Sequence, residues 1–172
     1  MLLNEKIEIQ SSRLILKPFT ANDAVESFAC ITPTLTRFMS WGPPKDRDAY
    51  DEIWKNWLNN IESGSEFTFI IRHQETHEFL GLGACHDIQG KNPELGIWIR
   101  EDRHGFAYGK EAVTAIAMWV SKHFDFEHFI YPDAIDNYAS RRIAESLNGV
   151  EMYCAQKPKY KSITYQIPII KN

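Results

Sequence analysis

Two stretches of this chain carry residue types that could do chemistry, and the first is His104-Gly105-Phe106-Ala107-Tyr108-Gly109-Lys110. It comes after an alternating run, Glu94 to Arg100, and a charged turn, Glu101-Asp102-Arg103, and it opens onto a segment rich in Ala and Val. That order reads strand, loop, helix. A helix start of this kind presents unpaired N–H groups at the positive end of the helix dipole, which suits a phosphate without any special side chain. Small residues at Gly105, Ala107 and Gly109 let an anion approach the main chain closely. A plain strand-to-helix connection would have the same composition, so the loop gains meaning only in combination with the second stretch.

That second stretch is Asp136-Asn137-Tyr138-Ala139-Ser140-Arg141-Arg142, closed by Asn148-Gly149. Asn137 reads as the N-cap of a short helix, with a ligand contact as the other reading. Upstream, strand alternation puts Glu94, Gly96 and Trp98 on one face and Leu95, Ile97 and Ile99 on the other. A carboxylate at Glu94, with Gly96 leaving room beside it, could take a proton from an amine directly or through water. A solvent-facing glutamate at a strand start is the alternative. Trp41 sits in a Pro/Gly-rich loop, where a large exposed aromatic tends to contact a ligand. His73 and His77 have metal-like spacing only on a helix and flank a hairpin turn, so no metal site is expected. No phosphate-binding P-loop, dinucleotide fingerprint or nucleophile-elbow pattern is present in the sequence.

Together these segments resemble the GNAT superfamily of acetyl-CoA-dependent N-acetyltransferases. In that family a (Gln/Arg)-x-x-Gly-x-(Gly/Ala) loop grips the pyrophosphate, and an Asn-x-x-Ser helix start comes after the next strand. Here His104 stands for Gln/Arg and Ala107 for the central Gly, while Gly109 keeps the last small residue and Asn137 to Ser140 keep the helix start. The segment Ser12 to Ala24 resembles the opening strand and helix of the RimJ/RimL-type branch, which acetylates protein N-terminal amines. Arg37-Phe38-Met39-Ser40-Trp41-Gly42-Pro43-Pro44 resembles the loop between that branch's first two helices.

The resemblance implies a site. Acetyl-CoA would lie between two splayed parallel strands, its pantetheine arm bonded to the main chain of Ile97, Trp98 and Ile99 and its phosphates on residues 104–110. Asn137 would bond the pantetheine arm, and Ser140 would lie near the sulfur as the acid that protonates the leaving thiolate. Arg142 could reach a CoA phosphate, with a solvated helix face as the alternative. Acetyl transfer needs little else, because the thioester is already activated: the protein holds it beside a deprotonated amine and stabilises the oxyanion. Glu94 is then the candidate base and Trp41 the acceptor-side residue.

The elements that position these groups emerge from periodicity. A first strand is expected from Ser12 to Lys17, and a helix capped by Thr20 through Phe28. An amphipathic helix capped by Asp46 carries Tyr50, Ile53, Trp54, Trp57, Leu58 and Ile61 as one apolar stripe and ends at Gly64. Three antiparallel strands come next, around residues 67–71, 79–88 and 94–100. Then come a helix over 107–123, a strand around 128–131, the helix from Asn137, and two last strands near 151–156 and 162–169. The fold class is α/β (α+β): a mixed, mostly antiparallel sheet with helices on both faces, and the splayed parallel pair taken from the resemblance.

With 172 residues and no linker or repeat, one domain over 1–172 is expected. A net charge of −4 argues against nucleic acid as a direct partner. No apolar run is long enough to span a bilayer, and Met1 to Lys6 does not look like a signal peptide. Cys30, Cys85 and Cys154, odd in number and far apart, read as reduced, buried thiols of a cytoplasmic protein. The acceptor would be a protein N-terminal amine. An antibiotic or polyamine acetyltransferase, or a CoA-binding module without turnover, remains as the alternative, and the sequence leaves monomer or homodimer open.

Overall fold

The computed structural model describes residues 6–171. The absence of a leader read from Met1 to Lys6 therefore lies outside the described residues except for Lys6. One eight-stranded sheet organises the chain: β1 (Ile9–Gln10), β2 (Leu14–Pro18), β3 (Phe67–His73), β4 (Phe79–His86), β5 (Glu94–Ile99), β6 (Phe129–Ala134), β7 (Val150–Gln156) and β8 (Lys161–Ile167), in the order β1-β2-β3-β4-β5-β6-β8-β7. Every neighbouring pair is antiparallel except β5 and β6.

The helices are α1 (Ala24–Ala29), α2 (Arg47–Ser63), α3 (Tyr108–His123) and α4 (Tyr138–Ser146). They cover both faces, which is why the central strands are apolar on both sides. Leu14, Leu16, Phe67, Phe69, Ile71 and Leu95 pack with Val113, Ile116 and Val120 of α3 and Ala144 of α4. On the opposite face Ile70, Leu82 and Trp98 pack with Ala24, Tyr50 and Trp54. Asp46 caps α2 by accepting from the Ala49 amide at 2.8 Å, and Gly64 ends it with φ 73°. Both ends therefore lie where the sequence puts them.

Some expectations need correcting. The first strand starts at Leu14, because residues 12 and 13 bend instead of pairing, and β1 was not expected. The strand after α3 runs on to Ala134, since β8 pairs along its whole length. Ile53 leaves the buried stripe of α2 and is 42% exposed. Cys154 is exposed on the outermost strand, whereas Cys85 is buried; all three thiols are free.

The parallel pair is barely a pair. Its single rung is Glu94 opposite Ile130, with the Ile130 amide donating to the Pro93 carbonyl at 2.9 Å. Beyond that rung β5 and β6 part, leaving one edge of β5 without a neighbouring strand. The splay takes its place from the chain's own register.

Candidate functional site

The parting of β5 and β6 decides which amides are free. Gly96 and Trp98 lie opposite Ala84 and Leu82, and the Arg100 amide donates to the Leu80 carbonyl at 2.8 Å. In an antiparallel ladder amides alternate in direction, so even-numbered residues of β5 bond to β4 while Ile97 and Ile99 turn theirs toward the gap. Trp98 pairs with Leu82, so its amide faces β4, while the residue lines the site. The Ile99 carbonyl is also occupied, accepting from His104 Nε2 at 2.7 Å. His104 thus anchors the loop to the strand, which gives the residue at this position a structural task.

The loop then turns through two left-handed residues, Gly105 at φ 90° and Ala107 at φ 62°. Ala107 occupies the place where the resembled family has Gly, and an alanine there costs about 1 kcal/mol relative to glycine. The turn is what aims α3. No side chain caps that helix, so its first amides, at Tyr108, Gly109 and Lys110, have no side-chain partner. They line a cavity of about 590 Å³ together with Ile97, Ile99, Asn137, Ser140 and Arg142. Arg37, Lys110 and Arg142 border it, as does Arg103, whose charge is paired with Glu78 and Asp102, and no carboxylate is in the lining itself. In a chain of net charge −4 that is a local inversion of sign, and it fits a polyphosphate. Phe106 is the exception among the expected loop contacts. It is 54% exposed, stacks on Tyr108 at 5.6 Å and stands outside the cavity lining; a positive φ on either side of it, at Gly105 and Ala107, turns its ring away.

A second cavity, of about 680 Å³, lies on the α2 side of the sheet. Glu94, Leu95, Gly96, Ile97 and Trp98 of β5 form one wall, and Tyr50, Ile53 and Trp57 of α2 form another. Trp41, 41% exposed, is at its rim. The loop carrying Trp41 is held by Lys159 Nζ, which donates to the Thr36 and Trp41 carbonyls at 2.7 and 3.0 Å. The two cavities meet at Phe38, Met39, Ile97, Trp98, Asn137 and Ser140. Asn137 Oδ1 accepts from the Ser140 amide at 3.4 Å, so it caps α4 as well as lining both cavities.

Sequence reasoning missed two features. His86, opposite Glu94 on β4, places Nδ1 2.7 Å from Glu66 Oε2. That hydrogen bond raises the His86 pKa and lowers that of Glu66. The imidazole lies near Gly96, its Nε2 3.9 Å from where a Cβ would sit there. Only the strand register brings these three residues together, so no local pattern announced them. The second is Asp133, 7% exposed, whose Oδ1 accepts from Ser140 Oγ at 2.5 Å. Here a signal existed: Asp133 alternates with the buried Phe129 and Tyr131, and a carboxylate on the buried face of a strand rarely lacks a purpose. Among the described residues no group of three or more His, Cys, Asp and Glu side chains is arranged to hold a metal.

The acetyltransferase (GNAT) domain family model matches residues 13–150. No curated protein sequence matches the chain. Among solved structures it is similar to RimL, the ribosomal L7/L12 α-N-protein acetyltransferase, in complex with coenzyme A: identity is 16%, the TM-score is 0.82, and 95% of this chain and 98% of that one are covered. An acetyltransferase from Salmonella typhimurium that modifies the N-terminal serine of the same ribosomal protein gives 16% identity, a TM-score of 0.80 and coverage of 96% and 100%. A spermidine N-acetyltransferase from Vibrio cholerae, in complex with CoA and spermine, gives 14%, 0.79, and 92% and 97%. The match spans β2 to β6, including the splayed strands, the uncapped helix and α4, so this chain belongs to the GNAT acetyltransferase family.

Proposed function

We propose that this chain transfers the acetyl group of acetyl-CoA to a primary amine, with a protein N-terminal α-amine as the first candidate, by direct transfer with Glu94 as general base. The observation that carries this reading is the meeting of a carboxylate-free, cation-bordered cavity with one holding Glu94 and Asp133, at Ser140. The first suits a phosphate-bearing donor and the second a cationic acceptor. Acetyl-CoA supplies an activated thioester.

The protein's own groups then divide the work. Amides of Tyr108, Gly109 and Lys110, with Lys110 and Arg142, bind phosphate. Free main-chain groups of Ile97 and the Ile99 amide hold an amide-bearing arm along β5. A pre-aimed N–H on that edge is suited to an oxyanion. Glu94, at the closed end of the splay, takes the acceptor's proton. Ser140 faces the leaving sulfur. Trp41 and Trp57 wall the acceptor side with apolar surface, which suits the side chain of a first residue better than a chain of further ammonium groups. Lys157 on the same cavity lining also disfavours a polycation. A polyamine acceptor is the second reading, favoured by the two carboxylates there. A single domain over residues 1–172 and a cytoplasmic setting belong to this proposal; among the described residues no helix is long and apolar enough to cross a membrane.

Coenzyme A should raise the melting temperature. At ~100 times its dissociation constant it adds about 2.7 kcal/mol by mass action, roughly 5–10 °C for a domain of this size. Gly109→Glu should abolish the shift and leave the circular dichroism spectrum intact. Its Cβ would meet only the flexible end of Ile143 closely, at 3.3 Å, while the added charge faces the phosphate. No shift at millimolar CoA, with the protein folded, would refute cofactor binding.

Release of free CoA thiol across a panel of amines tests the acceptor. Peptides with a free α-amine should turn over and their N-acetylated forms should not. Turnover of polyamines and of no peptide would replace the first reading with the second.

A further inference from the structure

Desolvating a carboxyl on the inner face of a sheet raises the cost of its charge, and the group must then find donors or keep its proton. Asp133 meets this problem on β6. Its Oδ1 has Ser140 Oγ at 2.5 Å, and its buried Oδ2 has no hydrogen-bond partner among the described residues. Ser140 Oγ also lies 2.8 Å from Tyr131 Oη. Burial pushes the Tyr131 phenol far up, so that hydroxyl keeps its proton and donates to Ser140.

The proton inventory has one consequence. A serine hydroxyl has a single proton and two lone pairs. Facing an ionised Asp133, Ser140 gives that proton to the carboxylate and has none to offer the cavity. Facing the acid form, Ser140 accepts from Asp133 and from Tyr131 and turns its own proton outward. We propose, resting on the acetyl-transfer reading, that Asp133 is the proton store behind Ser140: in its acid form it frees the Ser140 proton for the departing coenzyme A sulfur and replaces it.

The step balances. The amine nitrogen bonds to the acetyl carbon as the carbon–sulfur bond breaks, and sulfur keeps the electron pair. Sulfur takes the Ser140 proton, Ser140 takes one from Asp133, and nitrogen gives its own to Glu94 or water. Asp133 is left as a carboxylate and regains a proton from solvent once the products depart. Nothing is oxidised or reduced.

Both states of Asp133 are accessible near neutrality. Burial pushes its pKa up from 3.8 to about 7 against the opposing pull of the Ser140 hydrogen bond and of Arg141. Arg141 is itself held by Tyr165 Oη, the Ile135 carbonyl and Glu151, so its charge is shared. Tyr160, between β7 and β8, has its own phenol raised in part by the Asp133 charge. The first turn of α4, which carries Ser140, favours the carboxylate through its dipole. A raised carboxyl pKa means the useful acid form is present at low pH and is lost as pH rises through about 7.

The test begins without substrate. Carbon-13 NMR of the apo protein, with Asp133→Asn to assign the signal, should show Asp133 titrating near neutrality, and Ser140→Ala should move the midpoint upward by removing a bond to the charged form. A midpoint below 5 overturns the proposal whatever the enzyme's activity. With chemistry rate-limiting, wild-type kcat should fall on the alkaline side. Asp133→Asn should lose that fall and about tenfold in kcat at pH 6, less than the usual 10²–10⁴ of acid catalysis because a thiolate leaves readily, with KM for acetyl-CoA little changed. The double variant should be no slower than Ser140→Ala, since the two act as one unit. Superimposed profiles for Asp133→Asn and wild type, or additive losses, would overturn it. If Asp133→Asn does not fold, Ser140→Ala still carries the midpoint shift and the lost alkaline limb.

Discussion

Glu94→Gln should lower kcat with the best acceptor by roughly 10²–10⁴ near neutral pH while leaving acetyl-CoA affinity unchanged. The substitution keeps size and hydrogen bonding and removes only the proton acceptor. An amine at neutral pH is mostly protonated, so the base does most where free amine is scarce. The deficit should therefore shrink as pH rises and solution supplies the free amine. Glu94 stands on the acceptor-cavity lining, outside the cation-bordered cavity, so the CoA thermal shift should persist in the variant. Retention of wild-type kcat at pH 7, with chemistry rate-limiting, would move the role elsewhere. His86 is then next, because Glu66 holds its Nδ1 and leaves Nε2 beside Gly96. His86→Gln would decide between them.

Gly81→Ala should destabilise the protein by about 3 kcal/mol, at the upper end for overpacking, and lower its melting temperature by roughly 6–12 °C. A Cβ at Gly81 would lie 2.1 Å from the Trp98 carbonyl oxygen and 3.0 Å from Ile99 Cα. Both obstacles are backbone of β5, so no rotamer change relieves the clash and the strand itself must move. That strand carries the free edge proposed to hold the cofactor. CoA affinity should therefore fall together with the denaturant midpoint. Gly42→Ala serves as the control, because nothing lies within 4 Å of its added carbon. Equal stability of the two variants would refute the packing argument.

How much could be read from the residues alone depended on whether the cause was local. The alternation of β5 separated Glu94, Gly96 and Trp98 from Leu95, Ile97 and Ile99, and the first three line the second cavity, although Leu95 and Ile97 line it as well. Asp46 and Gly64 marked the ends of α2 because capping is a property of neighbouring residues. Asn137 marked the start of α4 for the same reason. The pairing of His86 with Glu66 spans two strands and depends on register, which a short polar motif does not encode. Ile53 obeyed the helical period yet faces a cavity, since periodicity identifies a face and not what lies opposite it. Phe106 lay within the right loop, but its direction was decided by the φ values on either side of it. Asp133 is legible in the sequence as an acid on the apolar side of β6, beside Phe129 and Tyr131.

The single rung between β5 and β6 has a mechanical meaning. β1 to β5 form one ribbon and β6, β8 and β7 another, and between them the continuous ladder is replaced by helix packing, the single rung at Glu94 and Ile130, and bonds just before it between Lys91 and Glu127 and between Asn92 and His128. The hinge line of the molecule thus runs through the cleft instead of around it. Any ligand lying along the open edge of β5 takes the place of missing rungs and clamps the two ribbons. Adhesion between the ribbons and occupancy of the cleft are then linked by one coupling free energy. Substitutions remote from the cleft that loosen the ribbons will weaken binding in the same proportion as binding tightens the ribbons.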